Sequence, residues 1–550
     1  MPFREGRLSP QGIPPCRLFR VGKEQGMRRQ GWLGLMVTGW LVGCGAAPEP
    51  VERQVGPEAM EVEALACGPG QVQEVKQGLP SRPSEFLEVA GALFFFTKEE
   101  DGDSLWKSDG TSAGTLKVKT LPRTGEQFIS NPYAASDLLF FTVHEAGTGT
   151  SLWVSDGTSE GTRRVKTLPG CGDFAGLYGH QWINGVLTFF HQPCGIRDLD
   201  LWRSDGTEAG TFRIHDLASA SSPPANTPPA PSHIFITGEA DGTFKLWRSD
   251  GTAAGTYTLP IPGDQHLYER VAELDGTTLF VIKGQATGTE LWRTDGTASG
   301  TWKLKRLDAS TSGVLGTTVK HVVDGKVVFS FIDVDDGSQT EIWQSDGTEA
   351  GTVRVDTFGR PADFLGVAGS SAVVATFTAD HRHMELRRLS LTGGGKALVA
   401  TLENPRADQG YVADILDVVR TEGRIFITQL EFPWDGLGET YLSRWVTDGT
   451  AAGTRRLATR VATQDAYRTP FFVTGTGTVM FAHASEAGNL EPWVTDGTLA
   501  GTRPIADLWP GSAGSDPAGF RRLGDRVYFT ALKADADPSL WSVPADLTCH

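Results

Sequence analysis

Four groups of residues in this chain have types and spacings that could do chemistry. Gly110–Gly114 (GTSAG) and Gly157–Gly161 (GTSEG) match Gly-x-Ser-x-Gly, which presents a serine hydroxyl for nucleophilic attack when it sits on a strand-to-helix elbow. His381 and His383 are two residues apart, the spacing that puts two imidazoles on one side of a strand for a metal. Asp333, Asp335, Asp336 and Glu341 offer hard oxygen ligands to calcium beside Gly337. That glycine occupies the fifth loop position, where an EF-hand needs an oxygen, so a solvated acidic hairpin is the competing reading. The fourth group is the phrase LWxSDGTxxGT itself, written out many times.

Repetition decides what the serines and the phrase mean. Trp106, Trp153, Trp202, Trp247, Trp292, Trp343, Trp445, Trp493 and Trp541 each head a copy, and most successive copies are 45–51 residues apart. The double gap between Trp343 and Trp445 holds a worn copy, MELRRLSLTGG, that has lost the turn, which makes ten units. Eight copies keep Asp-Gly-Thr, at Asp109, Asp156, Asp205, Asp250, Asp295, Asp346, Asp448 and Asp496. A nucleophile is needed once, whereas a turn is needed in every repeat. Ala253, Ala298 and Ala451 stand where Ser112 and Ser159 stand, so those serines are filler in a structural turn.

The elements around the phrase are short strands. In 86–120 the runs FLEVAG, ALFFFT, SLWKSD and TLKVKTL are apolar or β-branched, are bounded by Gly, Asp or Ser, and show no helical period. Four strands per repeat of about 45 residues is the pattern of a β-propeller blade. The phrase then spans the third strand, a tight Asp-Gly turn and the start of the fourth. The tryptophans are expected between blades. The expected fold is all-β, one propeller of about ten four-stranded blades, with two smaller propellers as the alternative. The last unit lacks a fourth strand and QVQEVKQ (71–77) is spare, so the N-terminal strand is expected to complete the last blade and close the ring.

The phrase resembles the bacterial ELWxxDGT-repeat proteins over most of 86–541. The resemblance implies an exported repeat protein, often a lipoprotein, and carries no established activity. The leading Glu appears here as Glu290 and Glu341.

The 550 residues carry 50 Lys and Arg against 66 Asp and Glu, a net charge of −16, which disfavours nucleic acid as a partner. Residues 1–43 differ, with seven basic and two acidic residues. There Met27-Arg28-Arg29 precedes an uncharged run, 31–43, too short to span a bilayer. LVGC (41–44) resembles the lipobox of bacterial lipoproteins, which implies lipidation of Cys44. Gly45 after it implies an outer-membrane anchor in a Gram-negative cell. The expected layout is a leader at 1–43, of which 1–26 reads as a start-site artefact, a flexible tether at 44–66 and the propeller at 67–550. The four cysteines after Cys44 allow three pairings. Cys67 precedes the spare strand and Cys549 follows the last third strand, while Cys171 and Cys194 fall in loops of one face. Cys67–Cys549 and Cys171–Cys194 are therefore the expected disulfides.

Strand alternation sends the DGT turns to one face and varied loops to the other, among them HQPCGIRDLD (191–200) and LEFPWDGLGE (430–439). Varied loops on a rigid scaffold are where binding resides. The functional expectation is an exported, lipid-anchored module with no catalysis and no cofactor beyond a calcium ion. It would bind an extracellular protein or glycan. The alternative is a hydrolase or lyase acting on an extracellular polysaccharide, which needs two carboxylates in a cleft.

Overall fold

The computed structural model describes residues 71–547, apart from 84, 123–126, 146–148, 171–175, 194–198, 218–231, 240–242, 263–264, 285–287, 309–319, 334–338, 360–361, 436–437, 463–469, 485–488, 512–513 and 534–536. Ten antiparallel sheets follow one another along the chain as blades of a single ring. Blades 1 to 10 span 87–122, 127–167, 176–216, 233–259, 265–308, 320–358, 362–402, 411–462, 472–504 and 518–544. Nine have four strands and blade 4 has three among the described residues. First strands of successive blades touch one another, as in blades 1 and 2, 5 and 6, and 8 and 9, which makes the first strand the hub strand and the fourth the rim strand.

Ten apolar clusters occupy the ten junctions between blades. Strand alternation builds each one. In blade 1, Phe94 and Leu105 point into the junction with blade 2, whereas Phe95 and Trp106 point back toward Tyr528 and Leu540 of blade 10. Both faces of each second strand are buried, which is why these strands read as continuous apolar runs rather than alternating ones. The repeat tryptophan always faces the preceding blade, and Phe95 and Trp106 stack at 6.1 Å with ring planes 6° apart.

The ring closes as the spare strand requires. Gln73–Lys76 pairs antiparallel with Pro538–Pro544 as the outermost strand of blade 10, with Gln73 opposite Ser542 and Lys76 opposite Leu540. Leu79 N–H donates to the Pro538 carbonyl at 2.8 Å, and the Lys533 ammonium lies 3.1 Å from Glu74. Two sheet edges disappear in this pairing.

The DGT turn is a small hydrogen-bonded knot. In blade 3 the Thr207 backbone N–H and hydroxyl both donate to Asp205 Oδ1, at 2.8 and 2.7 Å. Gly210 N–H donates to Thr207 Oγ1 at 2.9 Å, and the Thr211 hydroxyl donates to the Thr207 carbonyl at 2.6 Å. The threonine-to-aspartate bond recurs in all eight copies. These donors hold Asp109, Asp156, Asp205, Asp295 and Asp346 below the ordinary carboxylate range. Both glycines are required. Gly206 has φ +86°, and a Cβ on Gly210 would lie 2.0 Å from the Asp205 carboxylate.

Six of the knots, in blades 2 to 6 and 9, are clasped by hydrogen bonds from the blade before. Lys119 donates to the Ser159 and Thr162 carbonyls at 2.9 and 2.6 Å, Arg163 to the Gly206 carbonyl at 2.8 Å, and Arg293 to the Gly347 carbonyl at 2.9 Å. The leading glutamate is structural too. Glu290 accepts from Trp292 Nε1 at 3.0 Å and from Lys303 at 3.0 Å, and Glu341 accepts from Trp343 Nε1 at 2.9 Å and from Arg354 at 2.6 Å. Blades 1 and 4 reach the same end differently. There Thr97 and Thr237 take the indole N–H, and Glu99 and Glu239 take the base.

The worn seventh copy keeps more than its sequence promised. Leu389 pairs with Lys396 across a turn of the same length, so Ser390 occupies the aspartate position and Leu391 the first glycine position. Thr392 N–H reaches Ser390 Oγ at 3.3 Å, a lengthened form of the usual bond. Positive φ moves to Gly393, Gly394 and Gly395, and nothing lies within 4 Å of a Cβ at 393 or 395. The turn meets blade 6 through single side chains, Leu391 packing against the apolar cluster of that junction and Lys396 donating to the Thr357 carbonyl at 2.7 Å, and no knot fills the space beside them. A groove of about 530 Å³ lies there instead, lined by Lys326, Arg354 and Asp356 on one side and Ser390–Gly395 on the other.

Candidate functional site

Blade 8 departs furthest from the repeat on the loop face. Its first two strands, Tyr411–Thr421 and Arg424–Pro433, are 11 and 10 residues long. The loop that enters it carries the 3₁₀ turn Ala407–Gln409, the only helical element among the described residues. Gly410 ends that turn with φ 84°. Asn404 fixes the loop, donating to the Arg382 and Tyr411 carbonyls at 3.0 Å each. Trp434 N–H donates to the Gly410 carbonyl at 3.1 Å, which ties the loop between the second and third strands to the entering loop.

These ties assemble an aromatic platform. The Arg406 guanidinium sits 3.3 Å from the Tyr441 ring centroid, and Tyr411 and Tyr441 lie 5.9 Å apart at 58°. Glu431, fully buried, accepts from Arg406 at 3.3 Å and from the Ser443 hydroxyl at 2.5 Å, so the arginine is anchored from below. The Tyr441 hydroxyl donates to Glu439 at 2.8 Å, and this bond raises its pKa. Trp434, on the loop whose backbone is tied to Gly410 next to Tyr411, has 74% of its surface exposed, the most exposed large apolar side chain among the described residues. An aromatic face open to water, together with a stacked arginine and paired tyrosines, suits a ligand with flat apolar faces and hydroxyl groups.

A carboxyl pair lies at the starts of two neighbouring hub strands. Asp363 is in the first strand of blade 7 and Asp414 in the first strand of blade 8. Burial, with the charge of Asp414 behind it, pushes Asp363 up to about 6. Asp414 is exposed, and its Oδ1 accepts from Ile415 N–H at 2.7 Å.

The other sequence candidates fall elsewhere. Ser112 and Ser159 are exposed in turns that lead into a fourth strand, so the helix that a nucleophile elbow needs is replaced by a hairpin. His381 has φ 56° in a turn and His383 precedes the strand Met384–Ser390, so strand alternation does not bring them to one side. Asp333 ends the strand Lys326–Asp333, and Asp335 and Asp336 lie outside the described residues. Glu341 is committed to Trp343 and Arg354. Among the described residues no three His, Cys, Asp or Glu side chains converge as a metal site. Cys44, Cys67, Cys171, Cys194 and Cys549 all lie outside the described residues, as do the leader and tether. Sequence reading singled out the loop 430–439 but missed Arg406, Tyr411 and Tyr441. Their only advance signal was the interrupted rhythm between Trp343 and Trp445.

No family model and no curated protein matches this sequence. Among solved structures the chain is similar to oligopeptidase B from Leishmania major, at 10% identity and TM-score 0.36, over 65% of this chain and 54% of that one. It is also similar to a prolyl endopeptidase, at 12% identity and TM-score 0.35, over 65% and 55%. Prolyl oligopeptidase B from Galerina marginata gives 10% identity and TM-score 0.34, over 67% and 56%. The chain thus spans about half the length of each of these proteins.

Proposed function

We propose that this chain is an exported, lipid-anchored binding module that holds an extracellular glycan on the loop face of blade 8. The lipobox-like LVGC supports the anchor. The observation that carries the binding role is Trp434, exposed at 74% on the loop tied to Gly410 next to Tyr411, with Arg406 stacked on Tyr441. A sugar ring presents C–H groups on its flat face and hydroxyls at its edge. The indole takes the face, and Arg406 and Glu439 flank the hydroxyls. Trp434→Ala removes the exposed ring without touching a packed junction. Binding to an array of bacterial glycans should fall at least tenfold, with an unchanged melting temperature. Full retention of every array signal sinks the reading.

A second reading rests on Asp363 and Asp414. A buried carboxyl with a pKa of about 6, close enough to a second carboxyl group to feel its charge, suits the acid–base pair of a polysaccharide hydrolase. Reducing-end release from a bound glycan, abolished by Asp363→Asn while binding persists, would establish that reading over simple binding.

A further inference from the structure

The rim of the ring is charged against the sign of the molecule. Among the described side chains of the ten fourth-position strands there are fifteen Lys and Arg and three Asp and Glu, an excess of twelve positive charges. The whole chain carries −16. Guarding an exposed strand edge explains the presence of charge there. It does not explain one sign, because acidic residues guard an edge as well.

Six of the fifteen cations lie in ion pairs, Lys117 with Glu99, Arg213 with Asp200, Lys303 with Glu290, Arg354 with Glu341, Lys396 with Asp356 and Arg456 with Glu403, while others meet carbonyls instead. Lys119, Lys166 and Arg163 donate to backbone carbonyls of the next blade, at 2.9 and 2.6 Å for Lys119, 2.7 Å for Lys166 and 2.8 Å for Arg163. On the adjoining third strands, Arg203 and Arg293 likewise donate to the Gly251 and Gly347 carbonyls at 3.3 and 2.9 Å. A carbonyl fixes such a side chain in place and leaves its full charge to act on what lies outside.

On blades 3, 4 and 5 the same rim also carries rings. Phe212, Tyr257 and Trp302 each open a fourth strand and remain 44, 38 and 43% exposed. Each faces an arginine across the strand pair, with Arg203, Arg248 and Arg293 stacked at 5.4, 5.5 and 4.4 Å. Blades 1, 2, 6, 8 and 9 have Leu116, Arg163, Val353, Arg455 and Arg503 at the same position. Three successive blades therefore offer a ring and an arginine at a regular interval, on a rim whose Lys and Arg are densest on the fourth strands of blades 2 and 5, either side of blades 3 and 4.

We propose that this rim binds a linear acidic polysaccharide, whose sugar faces lie on Phe212, Tyr257 and Trp302 and whose carboxylates meet the Lys and Arg of the outer strands. The periodicity argues for a polymer that runs from blade to blade, and the charge for an acidic one. This surface is separate from Trp434 and stands independently of the glycan reading above.

The test is titration calorimetry of the soluble chain with polygalacturonate, with dextran as the neutral control. Polygalacturonate should bind and dextran should not, and affinity should fall steeply between low and physiological salt. The triple variant Phe212→Ala/Tyr257→Ala/Trp302→Ala should weaken binding at least tenfold, and Trp434→Ala should leave it unchanged. Arg164→Glu/Lys305→Glu leaves the rings in place. It should weaken binding at least threefold and flatten the salt dependence, and it carries the test if the triple variant does not fold. Equal binding of dextran, binding unchanged in both variants, or binding only to phosphatidylglycerol vesicles overturns the proposal.

Discussion

The junction between blades 2 and 3 and the junction between blades 6 and 7 are built from turns of equal length, yet the first is clasped at a hydrogen-bonded knot and the second only by Lys396 and Leu391 beside a groove. In the first, Arg163 and Lys166 hold carbonyls of the DGT knot, and Leu138, Phe140 and Val154 lie against Gly206. In the second, Ser390 and Leu391 replace aspartate and glycine, the knot slackens, and a groove of about 530 Å³ remains. The apolar cluster at 6–7, with Val328, Phe364 and Val374 fully buried, is as complete as at 2–3. Blade packing and turn clasping are thus separable. The core closes the ring, and the repeated phrase fastens its turn face.

Acid should reverse the order of strength of these junctions, and this is the largest effect expected. His180 and His191 of blade 3 are held down to about 4 and His233 of blade 4 to about 3, all by burial. Above pH 6.5 neither folded nor unfolded chain protonates them. As pH falls from 6.5 toward 4, only the unfolded chain takes up the protons, so each histidine removes about 3 kcal/mol of stability. Asp363 works the other way. Its raised pKa means that the folded chain binds the extra proton between about pH 6 and 4, which firms the region of blades 7 and 8. Hydrogen exchange by mass spectrometry, corrected for intrinsic rates, should show peptides of blades 2–4 opening first at pH 4.5. If blades 6–7 open first at both pH 4.5 and pH 7.5, the clasp alone sets junction strength and the histidines do not matter.

The two glycines sharpen the comparison with a smaller effect. In Gly210→Ala the new methyl meets the Asp205 carboxylate, which can move only by breaking both of its bonds to Thr207. A loss of about 2–3 kcal/mol in urea unfolding is expected, the range for overpacking a tight site. In Gly395→Ala the methyl enters open space and only the φ of +78° is strained, for about 1 kcal/mol. Combined with Asp205→Ala, Gly210→Ala should cost almost nothing more, because the atom it strikes is gone. Additive losses in the double variant would show that the glycine serves something other than the knot.

Repetition is what made the fold legible. Each tryptophan and each Asp-Gly turn is a weak local signal, but ten in phase fix the strands, the faces and the closing role of 71–77. The second glycine of the phrase was harder, since its reason is a side-chain collision inside the turn. The seventh copy looked lost because Arg387 stands where the tryptophan does, opposite Val374, although its register is intact. The blade 8 platform was illegible for a different reason. Arg406, Tyr411, Trp434 and Tyr441 come from three loops and strands whose approach depends on long-range pairing, and no spacing in the sequence records it. The basic rim was hidden in plain composition, because net charge averages over a polarity that appears only when strands are sorted from hub to rim.

Restoring the clasp at blades 6–7 is the smallest and most discriminating change. Leu389→Ser/Ser390→Asp/Leu391→Gly/Lys396→Thr writes the full knot into blade 7 without altering the length of the turn. The knot alone is half of a clasp. Lys119 and Lys166 lie opposite Leu105 and Leu152, and in the same register blade 6 has Asp356 opposite Ile342. Lys396 now lies 3.3 Å from that aspartate and donates to the Thr357 carbonyl at 2.7 Å, and the graft removes both contacts together with the packed Leu391 side chain. A carboxylate facing the carbonyls of the new turn repels them. The four-residue graft is therefore expected to cost about 1 kcal/mol relative to the parent, since new turn bonds offset the lost surface pair but not the apolar packing of Leu391. Adding Asp356→Lys supplies the receiving cation and should raise stability by about 1 kcal/mol, read from the urea midpoint at constant slope. A full gain from the graft without Asp356→Lys would mean that the knot fastens the ring unaided and that the basic residues of the preceding blade are free for other work, the binding of a polyanion among them.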